Sequence, residues 1–357
     1  MSDRILSTRI SGARRERGWS QQELAAKSGV SRAEISAVET SRQAPSTATA
    51  LRLASALGRT VEELFVLSPA GDPGENDPSW AWAPERAEGR YWEARVGARR
   101  LLFPVEPSSA LGIQPHDGCF TPEGLVPKPW AEADKTLVVA GCDPAVGLLA
   151  ADLARHDGIR VLALTRGSRE ALELLKRGLI HAAGLHWSDE SGEDANAAMV
   201  ANVLGDGFSL VHVARWQEGV ALESSVRARS AAAIARAKLR WIAREEGSGA
   251  RHVLDRLLGA RPRRFRHEAR DHRAVALAIR SGYAQAGIAV RLAAEEAGLD
   301  FVALQQEDYE LCYRNDLRAD EPLAALRKAL KRAELRRLTR DLPGLDVARM
   351  GEERSVA

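Results

Sequence analysis

The chain has 357 residues, of which 45% are hydrophobic and 28% charged, as is typical of a globular protein with two or three domains. No apolar run approaches the roughly 18 residues that a membrane span needs, and no signal-peptide core is present, so we expect a cytoplasmic protein without a membrane partner. Its three cysteines, Cys119, Cys142 and Cys312, are odd in number and widely spaced, which excludes a disulfide frame and predicts no metal site.

The stretch from Ser20 to Glu39 predicts two short helices joined by a tight turn. Ser20 begins the first helix as an N-cap, with Glu23 as its capping-box partner, and Gly29 ends it. The same box repeats at Ser31, with a glutamate three residues later. A helix-turn-helix pair of this kind can place its second helix in the major groove of DNA.

Helices on both sides of this pair complete an expected bundle of five. Leu6, Ile10 and Ala13 have the spacing of an apolar stripe on a first helix. A fourth helix is expected from Pro45 to Gly58, and a short fifth follows it. The residues expected to face the core on the fourth helix are Ala50, Leu51, Ala54 and Leu57.

Positive charge is concentrated in this first segment. Residues 1–60 hold ten Lys or Arg against five Asp or Glu, a net charge of +5, whereas the whole chain has a net charge of only +2. Such an excess suits a phosphate backbone and favours DNA binding.

Residues 1–67 resemble the XRE family, the Cro and phage-repressor type of helix-turn-helix. The resemblance implies that Arg32 reads a guanine edge, while Gln21 and Arg42 contact phosphates. It also implies a double-stranded DNA operator as partner and, because half-sites lie one helical turn apart, a homodimer. The DNA-contacting residues that it implies are Gln21, Ser31, Arg32, Ala33, Ser36, Ala37 and Arg42.

The middle of the chain carries weaker signals. Residues 68–84 are rich in Pro, Gly, Asp and Ser without a helical period, and we expect a linker over residues 68–90. Over residues 91–130 we expect a small β-hairpin turning at Gly97 and then loops, with no assigned role.

From residue 131 to residue 357, strands and helices alternate. Short apolar strands are expected at 136–140, 160–164 and 179–185, with helices at 143–156 and 168–177 between them. This alternation predicts a parallel sheet with helices on its faces, whose ligands bind at the carboxyl ends of the strands.

Three loops of this region place small residues at the start of a helix. Their sequences are GCDP at 141–144, TRGS at 165–168 and EEGSGAR at 245–251. Free backbone N–H groups at helix starts favour anions, so these loops predict an anion site.

Residues from about 136 to 350 resemble the periplasmic-binding-protein-like domain, type II, that is found fused to helix-turn-helix modules and to molybdopterin biosynthesis proteins. The resemblance implies two lobes with the ligand held in the cleft between them, and relatives of this kind bind molybdate or tungstate. The motifs that carry it are AGCDPAVGLLA, TRGSREALELLKRGLIHAAGLHWSD, VARWQEG, REEGSGAR, AIRSGYAQAGIAVRLAAEEAGLDFVALQQEDYEL and LPGLDVARMGE.

The resemblance also implies which residues contact the ligand. Serine hydroxyls beside helix starts can donate hydrogen bonds, and Arg251 can hold an anion through two bonds. Asp143 opposes a bare dianion and either caps its helix or accepts a bond from a ligand hydroxyl or amine. The expected contacts are Cys142, Asp143, Gly167, Ser168 and His186 on one lip of the cleft and Ser248, Arg251 and His272 on the other.

The sequence therefore predicts a multidomain protein: an all-α helix-turn-helix bundle followed by an α/β two-lobed domain. We expect a one-component regulator that senses an oxyanion such as molybdate or tungstate, without a cofactor. Three alternatives stay open. The family often has Asn, Thr and Asp at the positions of Ala243, Ala250 and Gln285, and the absence of the Asn and Thr leaves room for a rear domain that serves only for dimerisation or partner binding. The domain could also sense a metabolite that is not an oxyanion. The protein could instead be a DNA-tethered enzyme of cofactor metabolism, although no catalytic motif supports an enzyme.

Overall fold

A computed structural model describes most of the chain. The described residues are 4–39, 44–69, 78–106, 111–122, 124–187, 195–259, 265 and 267–356. Within these ranges, no helix has both the length and the apolar character needed to cross a membrane.

Residues 4–39 and 44–69 form a helical bundle, called the head below. Its described core is built from fully buried Ile10, Leu24, Ile35, Leu53 and Leu57. The five predicted helices are present, and a two-stranded antiparallel sheet joins the two ends of the head. The elements are β1 (Arg4–Thr8), α1 (Ile10–Glu16), α2 (Gln21–Ser28), α3 (Arg32–Glu39), α4 (Thr47–Leu57), α5 (Val61–Leu64) and β2 (Phe65–Pro69).

Capping groups fix the helix-turn-helix pair α2–α3. Ser20 forms the predicted capping box: its hydroxyl accepts the N–H of Glu23, and the Glu23 carboxylate accepts the N–H of Ser20. At α3, the Ser31 hydroxyl accepts the N–H of Glu34 at 3.1 Å. The Glu34 carboxylate accepts a hydrogen bond from Thr49 at 2.8 Å, which ties α3 to α4.

Two predictions about the head were wrong. Leu6 lies in β1 and not on the first helix, because the segment before Ile10 pairs with a strand that follows α5, a contact that local spacing cannot show. On α4, Leu51 is 56% exposed and Leu53 takes its place in the core. The inward positions are 50, 53, 54 and 57, a helical spacing that leaves position 51 on the outer face.

Residues 79–127 form a five-stranded sheet. The predicted hairpin turning at Gly97 is β4–β5, and Gly97 has a φ of +58° that suits glycine. Strands β6 and β7 occur where loops were expected. Within residues 68–90, where a linker was expected, lie the end of β2, β3 and the first two residues of β4, and residues 70–77 lie outside the described residues. The strands are β3 (Ser79–Trp80), β4 (Gly89–Val96), β5 (Arg99–Pro104), β6 (Gly118–Thr121) and β7 (Gly124–Pro127), in the order β3-β5-β4-β6-β7.

The rest of the chain is an α/β domain, called the sensing domain below. Its large sheet has the strand order β13-β12-β14-β11-β15-β10-β8-β9, and two short strands pair with β11. The strands are β8 (Thr136–Gly141), β9 (Arg160–Thr165), β10 (Ala182–Leu185), β11 (Phe208–Leu222), β12 (Trp241–Arg244), β13 (Glu268–Ala269), β14 (Ala286–Val290), β15 (Asp300–Arg314), β16 (Leu345–Asp346) and β17 (Glu353–Ser355). The helices are α6 (Val146–Asp157), α7 (Ser168–Lys176), α8 (Ala195–Leu204), α9 (Ala231–Arg236), α10 (Gly249–Leu258), α11 (His272–Arg280), α12 (Arg291–Glu296), α13 (Glu321–Ala329) and α14 (Ala333–Arg340).

Strands β11 and β15 divide the sensing domain into two lobes. Each has 15 residues, and the two run antiparallel along their whole length. The C-terminal half of β15 pairs with β10 in the first lobe, whereas the C-terminal half of β11 pairs with β14 in the second. The two-lobed α/β domain predicted from the sequence is thus confirmed, and β11 and β15 are the strands that connect its lobes.

Candidate functional site

The outer face of α3 is the surface that the sequence assigned to DNA. Ile35 and Val38 are buried and anchor the helix. The predicted DNA contacts at its start, Ser31, Arg32 and Ala33, are exposed. Those one turn later, Ser36 and Ala37, are half-buried.

The two predicted phosphate contacts have different outcomes. Gln21 lies at the start of α2, and its side-chain amide donates to the Glu39 carboxylate at 2.8 Å. Glu39 also pairs with the buried Arg14 at 2.7 Å, so these three side chains connect α1, α2 and α3. Arg42 lies outside the described residues.

The second candidate site lies where the strand ends of the two lobes meet. In the first lobe, Cys142 follows β8 and His186 follows β10, both at carboxyl ends of parallel strands. In the second lobe, Ser248 precedes α10 and His272 begins α11, after the parallel strands β12 and β13. Such strand ends are the ligand-binding edge of an α/β sheet, and here the two edges face each other.

A thiol and two imidazoles form the centre of this cleft. The Cys142 Sγ lies 3.1 Å from the His186 Nε2 and 3.7 Å from the His272 Nε2. The exposed fractions of Cys142, His186 and His272 are 6%, 1% and 0%. The Nδ1 of His272 has no hydrogen-bond partner in the described part of the chain. We refer to these three residues as the Cys–His–His cluster.

The strands that connect the lobes supply residues that were not predicted. Glu307 on β15 bonds the His186 Nδ1 at 2.8 Å, and Gln305 donates to Glu307 at 2.6 Å. Trp216 on β11 stacks on Tyr309, with ring centroids 4.6 Å apart. The available signal was the run of polar residues from Gln305 to Asp308 within an otherwise apolar strand, because a buried polar group in a strand needs a specific partner.

Neighbouring charges shift the pKa values of the two histidines in opposite directions. Burial alone would lower the pKa of His186, but the negative charges of Cys142 and Glu307 hold it well above its usual value. Burial and the positive Arg244 and His186 keep the pKa of His272 well below its usual value. One imidazole is therefore held as a cation, and the other is held as a neutral ring.

Two predicted serines hold the loops of the cleft. The Ser168 hydroxyl donates to the backbone C=O of His186 and accepts its N–H, at 3.3 and 3.2 Å. The Ser248 hydroxyl caps α10 by accepting the N–H of Arg251 at 3.2 Å. A methyl group on Gly167 would lie 3.8 Å from the Ser248 Cβ, so these loops of the two lobes are in close contact.

The structure places Asp143 and Arg251 differently. Asp143 lines the cleft, accepts the N–H of Ala145 at 2.7 Å, and has a pKa that burial raises to about 6. It precedes α6, which begins at Val146, three residues later than predicted. Arg251 is not brought to the Cys–His–His cluster, because its guanidinium bonds acids of its own lobe, Asp255 at 3.1 Å among them.

A small cavity of about 20 Å³ adjoins the cluster, enough for about one water molecule. Cys142, Asp143, His272 and Tyr309 are among the residues that line it. At the end of β12, the buried Arg244 pairs with Glu245 at 2.8 Å, and its Nη1 lacks a partner among the described residues. The cleft thus contains buried groups of both charges around an ion-sized space.

Each of the two main parts of the chain matches a known protein family. Residues 150–331 match the PBP superfamily domain, and residues 10–64 match a helix-turn-helix family. Uncharacterized protein YvgK of Bacillus subtilis (strain 168) is 30% identical over 184 residues, which span 49% of this chain but only 60% of YvgK. An uncharacterized HTH-type transcriptional regulator of Methanothermobacter thermautotrophicus is 43% identical over 67 residues, which span 18% of this chain and 97% of that protein.

Two solved structures serve for comparison of the fold. PhnD1 from Prochlorococcus marinus, in complex with methylphosphonate, has 12% identity and a TM-score of 0.42 over 60% of this chain and 93% of its own. An ABC-type phosphate transport receptor from Vibrio cholerae has 12% identity and a TM-score of 0.41 over 58% of this chain and 97% of its own.

Proposed function

We propose that this chain, which belongs to the PBP superfamily and carries a helix-turn-helix domain of the transcriptional-regulator type, is a one-component regulator. A small effector bound in the cleft changes the affinity of the head for DNA. The observation that carries the proposal is the contact of Cys142 from the first lobe with His272 from the second, at 3.7 Å. An effector at this point contacts both lobes at once.

Binding between the lobes is coupled to their closure. Where the lobes meet, a methyl group on Gly249 would lie 2.9 Å from the His186 carbonyl oxygen, and Arg273 donates to the Pro144 carbonyl at 3.1 Å. An effector that binds the closed form better than an open one shifts the population toward closure. Couplings of this kind are typically worth about 1–3 kcal/mol.

An oxyanion such as molybdate or tungstate is the effector that the sequence suggests. Two features of the cleft favour an anion: the Arg244 guanidinium, whose Nη1 has no partner among the described residues, and the helix starts at Ser168, Gly249 and His272. Against it stand the carboxylates of Asp143 and Glu307, which repel a dianion.

The proposed partner of the head is an operator in double-stranded DNA. A homodimer follows from the geometry of paired half-sites and is part of the proposal. Because such a regulator works on the chromosome, a cytoplasmic location belongs to it as well. The proposal contains no catalytic step.

Operator selection and thermal shift together test this function. The full chain is first used to select duplexes from a random pool at low salt, and its melting temperature is then measured with molybdate, tungstate, sulfate and Zn²⁺. We expect an enriched operator sequence and a rise in melting temperature with one class of ion, because a ligand that binds only the folded state stabilises it. Failure to enrich any duplex would contradict a DNA-binding role. An enriched operator with no response to any ion would favour a rear domain that only dimerises.

A further inference from the structure

The Cys–His–His cluster brings together three metal-ligating side chains from three separate loops. Their donor atoms all lie within 4.8 Å of one another, and all three residues are buried. Cys142 and His186 come from the first lobe, whereas His272, 130 positions after Cys142, comes from the second. A thiolate with two imidazoles is a donor set for borderline-soft transition metals, not for Mg²⁺ or Ca²⁺.

The separations within the cluster fit a common metal ion. Zn–S and Zn–N bonds of about 2.3 and 2.0–2.1 Å in a tetrahedral arrangement place sulfur and nitrogen about 3.5 Å apart. The two observed separations from the Cys142 Sγ, 3.1 Å to His186 and 3.7 Å to His272, lie on either side of that distance. A shift of a few tenths of an ångström would bring each nitrogen to that distance from the sulfur.

A hydrogen bond behind His186 orients its ring as metal sites require. Glu307 holds the His186 Nδ1 at 2.8 Å, which directs the Nε2 at Cys142. Metal-ligating histidines almost always bond a carboxylate or carbonyl through their other nitrogen in this way. Glu307 is itself held by Gln305 at 2.6 Å, so the orienting group is fixed as well.

A second set of possible ligands has a side-chain amide of the protein between its two carboxylates. His186, Glu218 and Glu307 also lie close enough to share an ion. The amide of Gln305, however, donates to Glu218 at 3.2 Å and to Glu307 at 2.6 Å, and therefore takes the place of a cation between them. The His186 Nδ1, which faces this second set, is hydrogen-bonded to Glu307. The Nε2, which faces Cys142, is therefore the His186 atom that can bind a metal ion.

The geometry points to a binding site for a divalent transition-metal ion, with Zn²⁺ as the representative, held by Cys142, His186 and His272. Three protein ligands leave a fourth position, and the adjoining cavity has room for a water molecule there. Because the ligands come from both lobes, the ion joins them directly. This inference rests on the proposed function and deepens it by naming the effector class as a cation.

A different role for the same thiol is as a nucleophile. Cys142, His186 and Glu307 are spaced like a nucleophile, its base and an orienting carboxylate, with separations of 3.1 and 2.8 Å. The arrangement does not explain the second imidazole, His272, which is fully buried and directed at the same sulfur. A metal site uses all three donors, and this difference makes the two roles separable by experiment.

Cobalt and zinc titrations of the reduced, metal-stripped full chain test the site. We expect one Co²⁺ per chain with a thiolate-to-cobalt charge-transfer band, displaced by Zn²⁺, and protection of Cys142 from iodoacetamide when Zn²⁺ is saturating. Cys142→Ser should abolish the band. His272→Gln should weaken metal binding more than Glu307→Gln, because His272 binds the ion directly and Glu307 only orients a ligand. The matched controls are Cys119→Ser and His267→Gln, which remove the same side-chain types away from the cluster and should bind like the wild type.

The orienting role of Glu307 has its own readout. Glu307→Gln keeps the shape of the side chain but removes the charge that fixes the His186 ring. Changes behind metal ligands typically cost about 10–100-fold in metal affinity, and we expect a loss in this range with the charge-transfer band retained. A merely structural role would lower stability and leave the metal affinity of the folded fraction unchanged.

The outcomes separate this inference from the proposed function. No charge-transfer band in the wild type, or Cys142 alkylated equally fast with and without Zn²⁺, overturns the metal site even where the Cys142→Ser variant fails to fold. If the ion binds as described but neither it nor an oxyanion alters operator affinity, the metal site stands and the regulatory proposal fails. If the ion does not bind but an oxyanion alters operator affinity, the regulator stands without a metal.

Discussion

The head and the cleft use charge in opposite ways. In the head, Arg9, Arg17, Arg32 and Arg52 are all exposed, whereas Arg14 is buried and paired with Glu39. In the cleft, charged groups are buried and held by protein partners, as Glu307 is by His186 and Gln305. An exposed cation keeps its full attraction for a phosphate backbone, whereas a buried charge must be matched by a specific group or ion. The first region is therefore built to contact a large polyanion, and the second to select something small.

Ion pairs also stabilise the sensing domain. Removing the charge of Glu353 should lower stability more than the other substitutions do. Burial would raise the pKa of Glu353, but hydrogen bonds from Lys331, Tyr313 and Arg327 lower it to about 2. We expect Glu353→Gln to lower the free energy of unfolding at pH 7 by about 2 kcal/mol. This is less than the full pKa shift would give at about 1.4 kcal/mol per unit, because Arg318 and Lys331 are more than half exposed and solvent screens their charges. Because the folded pKa is depressed, this difference should be full above pH 4.5 and should disappear as the pH falls toward 2.

Urea unfolding over a range of pH measures this effect. Glu352→Gln is the control, because its partner Arg349 is 42% exposed and exposed ion pairs contribute about 0–1 kcal/mol. Equal losses in the two variants would show that the ion pairs around Glu353 contribute no more than a single exposed pair.

Arg32 tests the opposite use of charge in the head. If its guanidinium reads a guanine edge, Arg32→Ala should reduce discrimination between operator and random duplex by about 1–3 kcal/mol, a factor of roughly 5 to 150. Arg52→Ala removes the same charge from the exposed face of α4 and should weaken binding to both duplexes alike. Fluorescence anisotropy with the two duplexes gives the ratio, and identical ratios for both variants would remove Arg32 from the reading surface.

A methyl group at the lobe contact should affect effector binding and leave the head unchanged. In Gly249→Ala the new Cβ would lie 2.9 Å from the His186 carbonyl oxygen, tighter than ordinary contacts allow. We expect closure to become less favourable and effector affinity to fall about tenfold, which corresponds to roughly 1.4 kcal/mol. Gly12→Ala is the control, since a methyl group there meets nothing within 4 Å. Effector affinity is measured by calorimetric titration of both variants. Wild-type affinity in both would show that the lobes do not close on the effector.

The smallest expected change lies in the head alone. Ser20→Ala removes the N-cap of α2 and should lower the stability of the head by about 1 kcal/mol. Proteolysis or hydrogen exchange of α2 would report it, with exchange in the sensing domain unchanged. Faster exchange in both regions would show that the two share one unfolding unit.

How far the sequence predicts the structure also differs between the two regions. The capping box at Ser20 and the turn at Gly29, with a φ of +66°, are local signals, and the structure confirms both. The sheet β1–β2 was missed because its strands are separated by the whole bundle. Local pattern can identify an element but not its distant partner.

The cleft shows the same limit more strongly. Cys142, His186 and His272 were predicted as ligand contacts from the family resemblance, on the two lips of one cleft, but their direct contact at one point was not predicted. His186 and Glu307 are separated by 121 positions, and only the pairing of β15 with β10 brings them together. Arg251 was assigned to the cleft from its loop, whereas acids on its own helix and on β13 hold it. Which neighbour a charged side chain finds depends on packing that its own segment does not encode.

The central claim is that the cleft and the head are coupled, and the affinity of the cleft for its effector measured with and without operator tests it most directly. Because coupling is reciprocal, saturating operator must change effector affinity by the same factor by which the effector changes operator affinity. We predict a change of about 5- to 150-fold in calorimetric titration of the full chain, reduced to none when random duplex replaces operator. The same effector affinity in free and operator-bound protein would contradict the account.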